Sequence, residues 1–202
     1  CKIVVNSVHY APMKGIHMNK NVTSKQEIIA QARAHLLSRG AEGFRMRAIA
    51  ASCNVAVGSL YNYFPSKGAL MGAVVGDIWQ DVFAPFLEHE DFSKFDEALS
   101  CLCHAFQAGE ERYPHFMADH ALRFADGEKA QGRSMMHDCF SRLATKLQKA
   151  LDNDESVREG VFDEVLTKEK FVTFVLKFLV LGGRHSKNDN EALIKMVQSS
   201  IY

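Results

Sequence analysis

The side chains best suited to specific binding chemistry lie in one short stretch of the N-terminal third. Asn62 carries an amide that can both donate to and accept from the edge of an adenine base. Arg45, Arg47 and Lys67 lie on either side of it and carry the positive charge that attracts phosphate. These residue types indicate binding to a nucleic acid.

The distribution of charge favours a polyanionic partner for this part of the chain alone. The whole chain has 24 basic and 24 acidic residues, so its formal net charge is zero. Residues 24–67 hold six basic and two acidic residues, whereas residues 68–202 hold 15 basic and 22 acidic ones. A basic unit joined to an acidic body fits a partner such as DNA. Chance clustering on an ordinary solvated surface gives the same pattern.

Two short helices separated by a turn must hold Asn62 in place. The first of the two covers about residues 45–53, and the next covers Val57–Tyr63. It ends there because Pro65 pushes the residue before it out of the helical region. Asn54 tolerates a left-handed backbone, so we place the turn at that residue.

Longer helices flank this pair on both sides. Ser24 and Glu27 fit a capping box, and apolar residues at helical spacing follow until Gly40, where the preceding helix is expected to end. Ser66 caps the following helix, which is apolar along one face until Pro85 kinks or ends it. The pair is therefore part of a small helical unit near the N-terminus.

The helix that carries Asn62 has an inward and an outward face. An apolar knot that fixes the two short helices is formed by Ile49, Val55, Leu60 and Phe64. The residues left outward are Val57, Ser59, Asn62 and Tyr63. The small Gly58 allows the helix backbone to press closely into a major groove, where side chains reach base edges.

Residues 40–70 resemble the DNA-binding signature of the TetR family. The matching positions are Gly40, Arg47, Ile49, Ala50, Val55, Gly58, Leu60, Tyr61, Tyr63, Phe64, Ser66, Lys67 and Leu70. The resemblance implies a helix-turn-helix head followed by a helical body that dimerises and binds a ligand. It also implies that Tyr61, Tyr63 and Lys67 contact phosphate.

The chain departs from the family pattern around the two short helices. Phe44 and Arg45 stand where hydroxyl residues are usual, and Met46 follows them. Asn54 and Ala56 replace the usual turn Gly and Ser. Arg45 and Arg47 can replace the missing contacts by reaching phosphates themselves, or they are merely solvated charges. The predicted DNA-contacting set is Arg45, Met46, Arg47, Ala56, Val57, Gly58, Ser59, Tyr61, Asn62, Tyr63 and Lys67.

Composition predicts an all-α protein of about nine helices. The 202 residues are 47% hydrophobic, with only 4 prolines and 13 glycines, which favours helices around a sizeable core. We expect an N-terminal extension or cloning remnant at residues 1–17, with Met18 as the natural start. The head is then residues 18–67, and the ligand-sensing and dimerisation body is residues 68–202.

The body is predicted to contain five further helical segments. The first begins at a second capping box, Ser93 to Asp96, and buries Phe95, Leu99, Leu102 and Phe106. The others cover about residues 114–124, 135–151, 167–182 and 189–201.

The last two helices are the predicted dimer interface. Residues 170–181 are apolar on almost every face, as expected of a helix covered both by its own body and by a partner. A central helix of a monomeric core has the same composition. The interface set is Phe171, Phe174, Phe178, Leu181, Leu193, Met196, Val197 and Ile201.

The middle of the body is rich in aromatic residues, Met and His, which suits a pocket for a small-molecule effector of unknown identity. An ordinary helical core has the same stripes. The candidate pocket residues are Trp79, Phe83, Phe106, Phe116, His120, Phe124, Met136 and Phe140.

Other classes of function have little support in the sequence. The five cysteines form no CxxC pair, no apolar run approaches 20 residues, and known catalytic motifs are missing, so we expect a cytoplasmic protein without enzymatic activity, cofactor or membrane contact. His115, Asp119 and His120 suit zinc or nickel, but no third ligand is fixed, and we predict no metal site.

The sequence thus predicts a dimeric repressor that a small molecule releases from a palindromic double-stranded operator. The alternative is a TetR-like ligand-binding or protein-interaction module that has lost operator binding.

Overall fold

The computed structural model describes residues 23–114, 116, 130–181 and 187–202, and all regular structure in this part of the chain is helical. The eight helices of the described residues are α1 (Lys25–Gly43), α2 (Met46–Ser52), α3 (Val57–Tyr63), α4 (Lys67–Leu87), α5 (Phe95–Arg112), α6 (Ala130–Asn153), α7 (Lys168–Leu181) and α8 (Lys187–Ile201). The all-α prediction is confirmed, and the number of helices is close to the nine predicted. The extension at residues 1–17, Met18 and most of the segment 114–124 lie outside the described residues.

The first helix begins where the capping pattern places it but continues past its predicted end. The Ser24 hydroxyl accepts a hydrogen bond from the Glu27 N–H at 3.0 Å. The Glu27 carboxylate accepts from the Thr23 hydroxyl at 3.3 Å. At Gly40 the backbone has φ 65° and ψ −173°, a conformation that favours glycine, and the helix resumes to Gly43. Gly40 therefore interrupts α1 at the predicted end, and one more helical turn follows it.

The turn between α2 and α3 has the backbone that the sequence predicts. Asn54 has a φ of 54°, which is the left-handed region. The Val55 N–H donates to the Ala50 carbonyl at 3.0 Å and closes the end of α2. Helix α2 is one residue shorter at each end than predicted, whereas α3 has the predicted bounds.

Helix α4 connects the head to the body and passes through Pro85 to end at Leu87, so the proline does not terminate it. The Glu88 N–H still donates to the Ala84 carbonyl at 2.9 Å. Lys146 of α6 donates to the carbonyls of Leu87 and His89 at 3.2 and 2.5 Å. A cation at a helix C-terminus is stabilising, and here it holds the end of α4 against α6.

By length and composition α4 could also cross a bilayer, because its best window has a mean hydropathy of 1.2. Polar residues interrupt its apolar stretches, so the helix contains no continuous apolar run long enough to span a bilayer. Half of that window is buried inside the protein, so the match is only a weak indication of a membrane span.

The capping box predicted at the start of α5 is wrong. Lys94 occupies the N-cap position and makes no capping hydrogen bond with its side chain. The Phe95 N–H donates to Asp154 Oδ2 at 2.8 Å, and the Asp96 N–H donates to the Tyr202 hydroxyl at 3.2 Å. Residues from the C-terminal third therefore cap α5, which no local pattern indicates. Its predicted buried stripe is correct, since Phe95, Leu99, Leu102 and Phe106 are all buried.

One apolar core extends from the head into the body. Helix α4 lies at its centre and packs against α1, α5 and α6, while α8 packs on α5 and α7 packs on α6. The approach of α5 to α4 is close at Gly109, where an added Cβ would lie 2.8 Å from Cγ1 of Val82. The head therefore meets the body mainly along the contact between α1 and α4.

Candidate nucleic-acid interface

Helix α3 is held on the head by a firmly buried inner face. Leu60 is fully buried and Phe64 is 3% exposed, and both belong to a core that includes Ile49. Val55 is partly buried against the same core. The Lys25 ammonium lies 5.4 Å from the centre of the Phe64 ring, which ties the start of α1 to the end of α3. The predicted apolar knot is therefore correct.

The opposite face of α3 is open to solvent. Ala56, Gly58, Tyr61 and Asn62 are exposed, and Val57 and Ser59 are half-buried. A Cβ added at Gly58 would meet no atom of the described chain within 4 Å. Packing within the protein therefore does not require glycine at this position, and the open space allows a partner to approach the backbone.

Two predicted DNA-contacting residues are not available on this face. The Tyr63 ring is half-buried, and its hydroxyl donates to the Thr23 carbonyl at 2.6 Å, so it does not point outward as predicted. Met46 is only 8% exposed and packs in the core of the head, because the first turn of α2 directs this side chain inward. Sequence reasoning missed the contact with Thr23, since a backbone acceptor leaves no residue pattern.

The basic side chains lie around the open face. Arg45 and Arg47 are exposed at the start of α2, and Lys67 is exposed at the start of α4. Among the described residues, none of the three takes part in an ion pair. Arg45 and Ala56, the N-cap residues of α2 and α3, make no capping hydrogen bond with their side chains within the described chain. In the first turns of these helices the Ala48 and Ser59 N–H groups donate to the carbonyls of Arg45 and Ala56 at 3.0 and 2.9 Å.

Five residues of the predicted effector pocket form one aromatic cluster, which we call the ring cluster. The ring centroids of Trp79 and Phe83 are 5.3 Å apart and stacked, and Phe106 meets Phe83 edge to face at 4.8 Å. Phe116 and Phe140 lie 5.7 and 6.1 Å from Trp79. The five rings are thus linked to one another through Trp79 and Phe83.

The rest of the predicted pocket and the open spaces of the structure lie elsewhere. His120, Phe124 and the side chain of Met136 are outside the described residues, as are the metal candidates His115, Asp119 and His120. In the part of the chain that the structure describes, cavities of about 420 and 340 Å³ lie between α1 and α4 and beside the start of α7. An effector role for the ring cluster stays a prediction.

Six of the eight residues in the predicted dimer set fall into two groups. Phe174, Phe178 and Met196 are 57%, 46% and 57% exposed, and they lie on α7 and α8. The inner group, Leu193, Val197 and Ile201, is buried within the chain. Phe171 is half-buried, with its ring 5.7 Å from that of Phe95 and 5.5 Å from that of Phe162. The side chain of Leu181 lies outside the described part of the chain.

The part of the chain that contains α2 and α3 matches a known protein family. Residues 28–74 match the family described as bacterial regulatory proteins, tetR family. No curated protein matches the sequence.

Solved structures with the same fold include a tetR-family transcriptional regulator from Streptomyces coelicolor, with 14% identity and a TM-score of 0.61 over 87% of this chain and 77% of that one. The reduced form of NemR from E. coli has 17% sequence identity and a TM-score of 0.60, over 88% of this chain and 96% of that one. GusR from Salmonella enterica has 16% sequence identity and a TM-score of 0.59, over 90% of this chain and 99% of that one. These identities are low, so the structures establish a shared fold.

Proposed function

We propose that this chain, whose residues 28–74 match the tetR family of bacterial regulatory proteins, is a regulator of that family and acts as a dimeric repressor that a small molecule releases from a palindromic operator. The observation that carries the proposal is the face of α3 on which Gly58, Tyr61 and Asn62 are exposed while Leu60 is buried beneath them. A short helix seated in this way has the form of a recognition helix.

The residues around α3 divide into a base reader and phosphate clamps. Asn62 is exposed near the end of α3, and its amide is suited to the N6 and N7 positions of adenine. Arg45, Arg47 and Lys67 are exposed and free of ion pairs in the described structure, which suits them to phosphate. Tyr61 is 48% exposed and brings a hydroxyl to the same face.

A dimer follows from the size of the head and from the apolar face on the body. One head offers too little surface for tight binding, whereas two heads about 34 to 36 Å apart would enter successive major grooves. The exposed Phe174, Phe178 and Met196 supply an apolar patch on α7 and α8 that a second copy would cover. The operator is then a near-palindrome.

Release by an effector requires that the ligand bind one arrangement of the heads better than the other. The ring cluster lies where α4 meets α5 and α6, so a compound inserted among its rings would displace α4. Helix α4 carries the head, which gives such a displacement a direct effect on DNA binding.

The test is a gel shift with the purified protein and the DNA that flanks its own gene. We expect a salt-sensitive complex that excess unrelated DNA does not displace. Failure to bind any duplex tightly at low salt, with a folded dimer, would favour the module that has lost operator binding. A compound that binds the body tightly and leaves operator affinity unchanged would contradict the release model.

A further inference from the structure

A polar cluster joins the head to the body at the crossing of α1, α4 and α5. It consists of Arg33, Asp77, Asp81, Arg112 and Tyr113, and we call it the Arg33 cluster. Arg33 Nη1 donates to Asp77 Oδ2 at 2.8 Å, and Nη2 donates to Asp81 Oδ2 at 3.3 Å. Arg33 is the member from the head, and the other four belong to the body. The cluster is therefore a polar bridge between the two parts of the chain.

Tyr113 completes the bridge at the end of α5. Its hydroxyl accepts a hydrogen bond from Arg33 Nη2 and donates one to Asp81 Oδ2 at 2.5 Å. Its ring lies beneath the guanidinium, whose Cζ is 5.1 Å from the ring centre. Arg112 Nη1 donates to the same Asp81 oxygen at 2.8 Å. Asp81 thus gathers donors from α1 and from α5.

The charges of the cluster are well matched. Burial raises the pKa of the Asp81 carboxyl, but the hydrogen bonds from Tyr113 and Arg112 and the charge of Arg33 outweigh it, and the net shift is downward. Asp81 is therefore ionised at neutral pH, and two cations face two carboxylates. A bridge of this kind prefers one geometry, because planar guanidinium groups bind carboxylates in a directional way.

An open groove lies beside the Arg33 cluster. A groove of about 420 Å³ lies between α1 and α4, lined by Arg33 and Asp77 together with small or apolar residues that include Ile29, Ala30 and Leu37. Asp77 is the one residue of α4 in this lining, so at this edge the two helices meet through the polar bridge, whereas Ile28 and Ala32 of α1 pack in the shared core. The groove lies directly against the polar bridge.

We propose that Arg33 is a positioning residue for operator binding, acting through the Arg33 cluster to fix the angle of the head on the body. The expected effect on DNA binding rests on the proposed function, whereas the expected effect on the angle of the head does not. Arg33 lies on α1, away from the exposed face of α3, and need not touch DNA. Its loss would let the head adopt several angles, and the dimer would lose affinity for a site that demands one spacing.

The experiment compares Arg33→Gln with two reference variants. Lys149→Gln breaks another ion pair, with Asp91 at 2.6 Å, which lies wholly in the body. Arg33→Lys keeps the charge but loses the planar fork, so it should rescue only in part. Head-to-body distance is measured by energy transfer between dyes on unnatural amino acids at Glu42 and Asp138, both exposed, with the labelled chain diluted in unlabelled protein.

We expect Arg33→Gln to broaden the distance distribution and to weaken operator binding by at least about tenfold, as loss of charged hydrogen bonds implies. Lys149→Gln should change neither quantity. If Arg33→Gln does not fold, Tyr113→Phe is used instead, because it removes the bridging hydroxyl and keeps the ring. It should broaden the distance distribution by a smaller amount.

The two readouts separate the possible failures. An unchanged distance distribution in the folded variant overturns the inference, whatever happens to DNA binding. A broadened distribution in a protein that binds no operator even as wild type supports the positioning role and overturns the proposed function. A broadened distribution with unchanged operator affinity overturns the claim that the angle matters for binding.

Discussion

Replacing Phe174 by Ala should separate dimerisation from folding. Phe174 is 57% exposed on α7, so about 110 Å² of a side chain of roughly 200 Å² lies on the surface of one chain. If a second copy covers that area, the side chain contributes about 2 to 3 kcal/mol per copy at about 25 cal/mol per Å². Allowing for the methyl group that remains, both copies together lose about 4 kcal/mol, which weakens the dimer about a thousandfold.

Phe171→Ala is the matched control, because it removes the same ring from the same helix. Its ring packs against Phe95 and Phe162 inside the chain, so the loss should lower the free energy of unfolding by about 3 kcal/mol and leave the dissociation constant of the dimer almost unchanged. Sedimentation equilibrium over a range of concentrations gives the dissociation constant, and urea denaturation gives the stability. If Phe174→Ala remains as dimeric as wild type, the exposed face is not the interface.

Three further outcomes are expected from other parts of the body. Burial raises the pKa of Asp154, but hydrogen bonds from Ser156, Tyr202 and the Phe95 N–H bring it below its ordinary value. Its contribution to stability is therefore complete above about pH 4 and is lost as the pH falls through the folded pKa, so Asp154→Asn should flatten the acid limb of a plot of melting temperature against pH. Gly109→Ala should cost about 1 to 3 kcal/mol in urea denaturation, because its Cβ would lie 2.8 Å from Val82 Cγ1, and Val82→Ala in the same chain should restore most of the loss. Burial raises the pKa of the Cys103 thiol to about 12, so mass spectrometry should find it unmodified by iodoacetamide at pH 8 until the protein unfolds.

The local elements of the head could be predicted from sequence because their signals lie within a few residues. Ser24 and Ser66 cap α1 and α4 as their spacing indicates, with hydrogen bonds of 3.0 Å each. The left-handed Asn54 and the knot around Leu60 are also features of adjacent residues. Regular helical backbone stops at Gly40, as predicted, but Ala41 to Gly43 add one more helical turn, because a glycine with positive φ can interrupt a helix without ending the segment.

The contacts between distant segments could not be predicted in this way. The cap of α5 comes from Asp154 and Tyr202, and the partner of Tyr63 is a backbone carbonyl at Thr23. One signal was present but unused. Asp77 and Asp81 lie four residues apart in the largely apolar α4, a spacing that places both carboxylates on one face and indicates a cationic partner.

The exposure of single side chains is also hard to predict from sequence. Met46 and Asn62 both lie in stretches predicted to face DNA, yet Met46 is buried and Asn62 is exposed. On α8, Met196 and Val197 are neighbours, and only Met196 reaches the surface. Helical periodicity gives the faces of a helix, but which face meets solvent depends on the helices packed against it.

The central claim is that α3 reads bases through Asn62 while Lys67 holds phosphate, and binding isotherms on cognate and random duplexes at several salt concentrations test it most directly. Asn62→Ala should cost about 1 to 3 kcal/mol on the cognate site alone, with an unchanged salt slope. Lys67→Ala should weaken both duplexes alike and reduce the salt slope by about 1 for each head. Lys94→Ala, an exposed lysine of the body, is the control and should change neither. If Asn62→Ala and Lys67→Ala lower cognate and random binding by the same factor with the same salt dependence, the division into base reader and phosphate clamp is wrong.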